Sequence, residues 1–170
     1  PAVEKIRKVK AKDLPKLFAE HHLVYGPVPF GYYIGADDKD PNKYAFNIGQ
    51  GGLGLPDRDY YLKDDPKLAE IRTKYEAHVA EMLKLGGVDK PEPRAKAIVA
   101  LEKKIAEAHW TRVDSRDADK TYNKMKIADL AKAAPGFDWA AYMKAMGVTE
   151  TEVIVAQPSA ITGIAKLLQK

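Results

Sequence analysis

The chain has 170 residues, 28 Lys plus Arg against 24 Asp plus Glu, 45% hydrophobic and 31% charged residues, and no cysteine. No apolar run approaches the roughly 18 residues that a membrane helix needs, a disulfide scaffold or cysteine-ligated zinc site has no ligands to use, and the Leu, Ile, Val and Tyr content is too high for a disordered tail. The net charge of +4 is spread among acids, and its densest run (Lys5, Arg7, Lys8, Lys10, Lys12) lacks the interleaved aromatics of a nucleic-acid stripe, so no nucleic-acid partner is expected.

A domain of about 150 residues buries roughly 68 to 70% of its unfolded surface, enough for one real core or two small ones, so one or two compact units are expected. Leu14, Leu17, Phe18 and His21 have helical spacing after Asp13, which predicts a short helix capped by Asp13 and ending near His22. Phe30, Tyr32 and Ile34, then Tyr44, Phe46 and Ile48, alternate at strand period across a polar Ala36 to Asn42 loop. They predict an antiparallel β-hairpin over about 30–49. A glycine-rich connector follows, and the stretch 65–170 reads as the helical part.

Asp65-Pro66 opens a long helix with Leu68, Ile71, Tyr75, Val79, Met82 and Leu83 on one stripe, closed by Gly86-Gly87. A second helix is expected from about Glu92 to His109 with Ile98, Leu101, Ile105 and Ala108 inward. Thr111 to Lys120 is a polar break. A third helix spans about Ile127 to Ala134, and a fourth runs from Asp138 to Gly147 through Trp139, Tyr142, Met143 and Met146. Glu152 to Ala156 is a short strand, and Pro158 opens a last helix still amphipathic at Lys170. The fold class is therefore mainly α, with a small antiparallel β-hairpin and one further short strand. A chain that starts at Pro1 and ends in a running helix reads as a single piece, residues 1–170, of a longer polypeptide.

Three constellations invite chemistry. Gly49 to Gly54 fits the G-x-G-x-x-G pattern of dinucleotide sites, but Leu55-Pro56 and then helices follow where a βαβ unit is required, so the glycines read as backbone devices. His21, His22, His78 and His109 open no H-E-x-x-H string, in which two imidazoles one helical turn apart bind zinc; structural or surface roles are expected. Ser115 and Ser159 lack a persuasive base and read as capping or turn residues. The residues alone carry no complete catalytic site.

The connector Gln50-Gly-Gly-Leu-Gly-Leu-Pro-Asp-Arg-Asp-Tyr-Tyr61, with Gly35 to Asp40, Leu101 to Ala106, Tyr122 to Met125 and Val155 to Pro158, resembles the amino-terminal domain of the neprilysin family of zinc metallopeptidases. The order of motifs holds from about residue 10 to the end. The resemblance implies a two-lobed endopeptidase cutting short peptides, in which a helical lid closes over a catalytic lobe that holds zinc through H-E-x-x-H and a later Glu. No catalytic, metal or substrate residue is carried onto this chain, because the family's zinc ligands lie in the other lobe and its carboxylate-binding lid arginine lies before Pro1.

For the matched positions the resemblance implies a structural motif: Gln50, Gly51, Gly52, Leu53, Gly54, Leu55 and Pro56 as a fixed connector, Arg58 and Asp59 as its ion-pair anchor, and Tyr60 and Tyr61 packing it onto helices. Lys126 departs from the Thr that relatives often place after YNKM to cap a helix. The lack of cysteine departs from disulfide-bearing animal members and points to a bacterial one, in periplasm or cell envelope, with cytoplasm the alternative. Expected partners are the catalytic lobe, peptide substrates and, through a severed interface, a second copy. The competing reading is a free-standing, non-enzymatic helical binding module on the same fold.

Overall fold

A computed structural model describes residue 6 and residues 8–169; the basic positions Lys5 and Arg7 and the terminal Lys170 lie outside the described residues. The chain forms helices α1 (Leu14–Leu23), α2 (Asp59–Leu62), α3 (Pro66–Leu85), α4 (Pro91–Ala108), α5 (Ala118–Thr121), α6 (Ile127–Ala133), α7 (Trp139–Ala145) and α8 (Pro158–Leu167). Four strands complete it: β1 (Phe30–Asp37), β2 (Asp40–Gln50), β3 (Lys124–Lys126) and β4 (Glu152–Val155). The mainly helical class with a small sheet is what the sequence predicts.

The sheet has the order β1-β2-β4-β3. β1 and β2 run antiparallel from Phe30↔Gln50 inward, β4 lies parallel to β2 only at Asn47↔Ile154 and Ile48↔Val155, and β3 returns antiparallel to β4. Strand β3 is an addition to the predicted hairpin plus one strand. Its three residues, Lys-Met-Lys, are too short to show a period and become a strand only because β4 offers them a partner. The stretch 65–170 is therefore not purely helical, since it supplies two of the four strands.

The hairpin turn is also tighter than the predicted loop over Ala36 to Asn42. The side chain of Asp37 accepts from the Lys39 amide at 3.0 Å, closing the chain over Asp38 and Lys39. Asp37 is buried, and it also takes the Tyr122 hydroxyl at 2.8 Å and the Lys124 ammonium at 2.8 Å. The Lys124 contact above all, then the Lys39 amide and the Tyr122 hydroxyl, hold its carboxyl well below the usual carboxylate range. One buried acid thus locks the turn to β3.

One face of the sheet carries the core. Phe30, Phe46, Ile48, Val153 and Val155 meet Phe18 and Ala19 of α1, Trp139, Tyr142 and Met143 of α7, and Ile161 and Ala165 of α8. The rings interlock, with Phe30 5.2 Å from both Trp139, tilted against it, and Tyr142, edge to face. His22 sits in this cluster: its Nε2–H donates to the Phe30 carbonyl at 3.0 Å, which leaves Nδ1 to accept from the Tyr142 hydroxyl at 2.7 Å. Burial pushes its pKa below the ordinary histidine value.

The helix ends follow local chemistry in most places. Asp65 caps α3 by accepting from the Leu68 amide at 3.0 Å, and Asp138 caps α7 through Ala141 at 2.9 Å. Asp13 does not cap α1. It closes a 3-10 turn over Ala11–Asp13, and its carboxylate turns back to the Lys10 amide at 3.4 Å. At α6, Lys126 makes no side-chain cap, and the first amide, Ile127, donates instead to the Thr151 carbonyl at 3.0 Å. The last helix stops at Leu167 rather than running on.

Burial of the long helices departs from the expected stripes. α3 buries none of its twenty residues: Leu68, Tyr75, Val79 and Leu83 are half-buried, while Ile71 and Met82 are exposed. In α4 the buried residues are Ala95, Ile105 and Ala106, and Leu101, expected inward, is exposed. The two helices pack on each other and on α2, and α4 packs as well on α8, where Gly163 lies against Ala108.

Candidate functional site

The connector Gln50 to Tyr61 leaves β2, crosses to α2 and borders a cleft of about 310 Å³ whose other wall is His109, Trp110, Arg112 and Ser115. Each part of it is held by an identifiable bond. The Gln50 side chain pairs with the Trp110 backbone, accepting from its amide at 2.7 Å and donating to its carbonyl at 3.2 Å. Its own amide donates to the Gln157 side chain at 3.0 Å, so the end of β2 is tied both to the segment after α4 and to the start of α8. His109 Nε2–H donates to the Gly51 carbonyl at 3.0 Å, and burial keeps this imidazole's pKa lowered.

Two glycines are required here by space. Gly52 has φ +84°, and a Cβ there would lie 2.5 Å from Cα of Pro29. A Cβ on Gly54 would collide with the Tyr75 hydroxyl. That hydroxyl belongs to a clamp: Tyr75 donates to one oxygen of Glu102 at 2.9 Å, Tyr61 to the other at 2.7 Å, and the Tyr61 hydroxyl accepts from the Leu55 amide at 2.9 Å. Burial, and then the Glu102 carboxylate, push Tyr75 up to about 12 and Tyr61 further in the same direction.

The charged residues of the connector are placed differently from the expected Arg58–Asp59 anchor. The Arg58 Nε–H donates to the Ala106 carbonyl at 3.3 Å, at the C-terminal end of α4 where a cation complements the helix dipole. Asp59 pairs with Lys63 at 2.8 Å, and the ion pair that crosses the cleft is Asp57–Arg112 at 3.3 Å. The physical reason is position: Asp59 is the first residue of α2, so its side chain meets Lys63 one turn on.

The chemistry of this site is that of a fixed structural joint. Among the described residues no serine is hydrogen-bonded to a histidine: Ser159 accepts from the Trp110 indole at 2.7 Å, and Ser115 from Gln50 at 3.4 Å. These are tertiary roles rather than the predicted capping ones. Among the described residues no group of three or more His, Asp or Glu is placed to hold a metal ion. His22 and His109, the two buried imidazoles, each spend Nε2–H on a backbone carbonyl. Among the described residues, the side chains present do not fit a zinc ion.

The family model for peptidase family M13, amino-terminal domain, matches residues 1–170. The chain belongs to peptidase family M13. Its relatives include mouse endothelin-converting enzyme-like 1, 32% identical over 130 residues that make 75% of this chain and 17% of that one, and Drosophila neprilysin-3, 32% identical over 134 residues, 74% and 17%. Zinc metalloprotease Zmp1 of Mycobacterium tuberculosis, solved with an inhibitor, superposes with a TM-score of 0.85 at 34% identity over 95% of this chain and 25% of Zmp1. This chain spans 17% of the length of the first relatives it matches.

In this M13 domain the connector residues named from the sequence come together as one joint, and most of their partners were not among them. Gln157, Trp110, His109, Glu102 and Tyr75 supply the bonds. Two signals were available: Gln157 lies inside Val155 to Pro158 and Glu102 inside Leu101 to Ala106, both segments that carry the neprilysin resemblance. The G-x-G-x-x-G reading ends here, because the glycines receive His109 and Pro29 and the next helix, α2, is four residues long.

Proposed function

We propose that this M13 domain is a non-catalytic lid segment of a zinc-dependent endopeptidase, forming part of the wall that admits short peptides to a catalytic lobe outside residues 1–170. The observation that carries the reading is the match of the whole chain to the M13 amino-terminal domain, joined to its likeness to a solved zinc metalloprotease of which it spans a quarter. Zinc is then held by the catalytic lobe outside residues 1–170. The connector joint fixes the end of the sheet to α2, α3 and α4, so that the wall keeps one shape. Peptides and the catalytic lobe are its partners, and the lack of cysteine supports a bacterial enzyme of the periplasm or cell envelope.

The test compares residues 1–170 alone with the complete polypeptide. The isolated chain is expected to bind no stoichiometric zinc by isothermal titration calorimetry and to leave a fluorogenic peptide intact, while the complete protein cleaves it and loses activity to a chelator. A stoichiometric zinc site in residues 1–170 would overturn this division of labour. An encoding frame that stops near Lys170, with no catalytic companion, would leave the binding module instead.

A further inference from the structure

The connector cleft carries hydrogen-bond donors that the joint does not use. Its charged lining is two arginines, Arg58 and Arg112, against the single carboxylate of Asp57, and burial keeps the His109 imidazole beside them neutral near pH 7. Half-buried Arg58 spends only its Nε–H, on the Ala106 carbonyl, and among the described residues its two Nη groups meet no acceptor. Arg112 reaches Asp57 through Nη1 alone, at 3.3 Å. The backbone adds to this surplus. Leu55 gives its amide to the Tyr61 hydroxyl, whereas the amides of Gly52 and Leu53, two residues that line the cleft, donate to no acceptor among the described residues. Successive amides around a positive-φ residue such as Gly52 are a backbone setting that favours anions.

We propose that this cleft binds a small oxyanion, a phosphate or a carboxylate, held by the Nη groups of Arg58 and Arg112 with the Gly52 and Leu53 amides as further donors. The chemistry of the lining selects the ligand. A guanidinium fork matches two oxygens of one phosphate or carboxylate, and two such forks against one aspartate leave an excess of one positive charge for the ligand to balance. Size narrows it further: about 310 Å³ lies at the lower end of the range for ligand pockets, so the cleft suits a small anion and not a dinucleotide. Arg58 belongs to the connector and Arg112 to the opposite wall, so a bound anion bridges the two sides of the joint. The anion site does not depend on the peptidase reading, since every donor lies within residues 1–170.

Trp110 lines the same cleft and supplies a local probe. In the complete protein labelled with fluorotryptophan, the fluorine resonance of Trp110 is assigned by its loss in Trp110→Phe. It is then followed during titration with inorganic phosphate and, separately, with succinate, at an ionic strength held constant with sodium chloride. A saturable shift is expected, and a response to phosphate alone or to succinate alone supports the site and names the source of its anion. The dissociation constant should rise about tenfold in Arg58→Gln, which removes the half-buried fork. It should rise about threefold in Arg112→Gln, whose side chain is 71% exposed and is not needed for folding, so this variant carries the test should Arg58→Gln unfold. No saturable shift with either anion would overturn the proposal, and so would an affinity unchanged by both substitutions.

Discussion

The sheet-centred region and the α3–α4 hairpin carry comparable apolar stripes and treat them in opposite ways. Around the sheet, helices α1, α7 and α8 bury Phe18, Trp139, Tyr142, Met143 and Ile161 against Phe30, Phe46 and Ile48, with their flanking Leu14, Met146 and Leu168 half-buried, and packing and polar pairing reinforce each other at His22 and Asp37. In the hairpin α3 buries nothing and is joined to its neighbours by the Tyr61–Glu102–Tyr75 clamp and by Arg72, which donates to the Tyr60 carbonyl at 2.8 Å, while α4 buries Ala95, Ile105 and Ala106 and packs on α8. The first region is complete within the chain. The second is anchored through α4 and leaves Ile71, Met82 and Leu85 of α3 exposed. Periodicity marks a face for burial without saying which molecule or segment buries it.

The largest expected effect separates the two regions directly. Trp139→Ala removes a buried indole that packs on Phe30 and Phe137 and donates to the Ala134 carbonyl at 2.9 Å, and it should cost about 3–5 kcal/mol by urea denaturation of residues 1–170. Ile71→Ala in the same chain should stay within about 0.5 kcal/mol. Similar costs for both would break the contrast, while a larger cost for Ile71→Ala in the complete protein than in residues 1–170 would sharpen it.

Next comes the joint between the regions. Gly54→Ala drives a methyl into the Tyr75 hydroxyl and should destabilise by about 1–3 kcal/mol, as overpacking does. In a Tyr75→Phe background the obstacle is gone, so the same substitution should cost measurably less in a double-mutant cycle. Additive costs would show that the collision is not what makes glycine necessary there.

The pH dependence divides along the same line. His22 and His109 have lowered pKa values in the folded chain, so their contribution is present above the unfolded value of about 6.5 and is lost as pH falls below it. Tyr75 is raised to about 12, so its contribution is present below the unfolded value of about 10 and is lost as pH rises from there through 12. Melting temperature should therefore fall on both sides of a plateau. His22→Gln should flatten the acid limb and Tyr75→Phe the alkaline one; an unchanged acid limb in His22→Gln would remove the core histidine from that account.

The smallest effect is expected at Lys126→Thr. A hydroxyl at this position can accept from an amide in the first turn of α6 that the Thr151 carbonyl does not reach, and the gain should be about 0.5–1 kcal/mol in the urea midpoint. No gain would mean that the Thr151 contact already satisfies the end of this helix.

Sequence alone determined the features whose causes lie within a few residues. Asp65 with Pro66, Asp138 and Pro158 set helix starts, Gly86-Gly87 and Gly147 set ends, and the alternation from Phe30 to Ile48 set the hairpin strands, because capping bonds, fixed φ values and strand period act locally. The connector string and its companion segments were likewise enough to identify the family. Tertiary structure decided what depends on distant partners. It made Lys124 to Lys126 a strand, tied the buried Asp37 to Tyr122 and Lys124, moved Arg58 from Asp59 to the end of α4, and left α3 uncovered. Each of those outcomes turns on a group tens of residues away or on the lack of one, and free energy of burial belongs to the pair of surfaces that meet, which no single stretch of sequence contains.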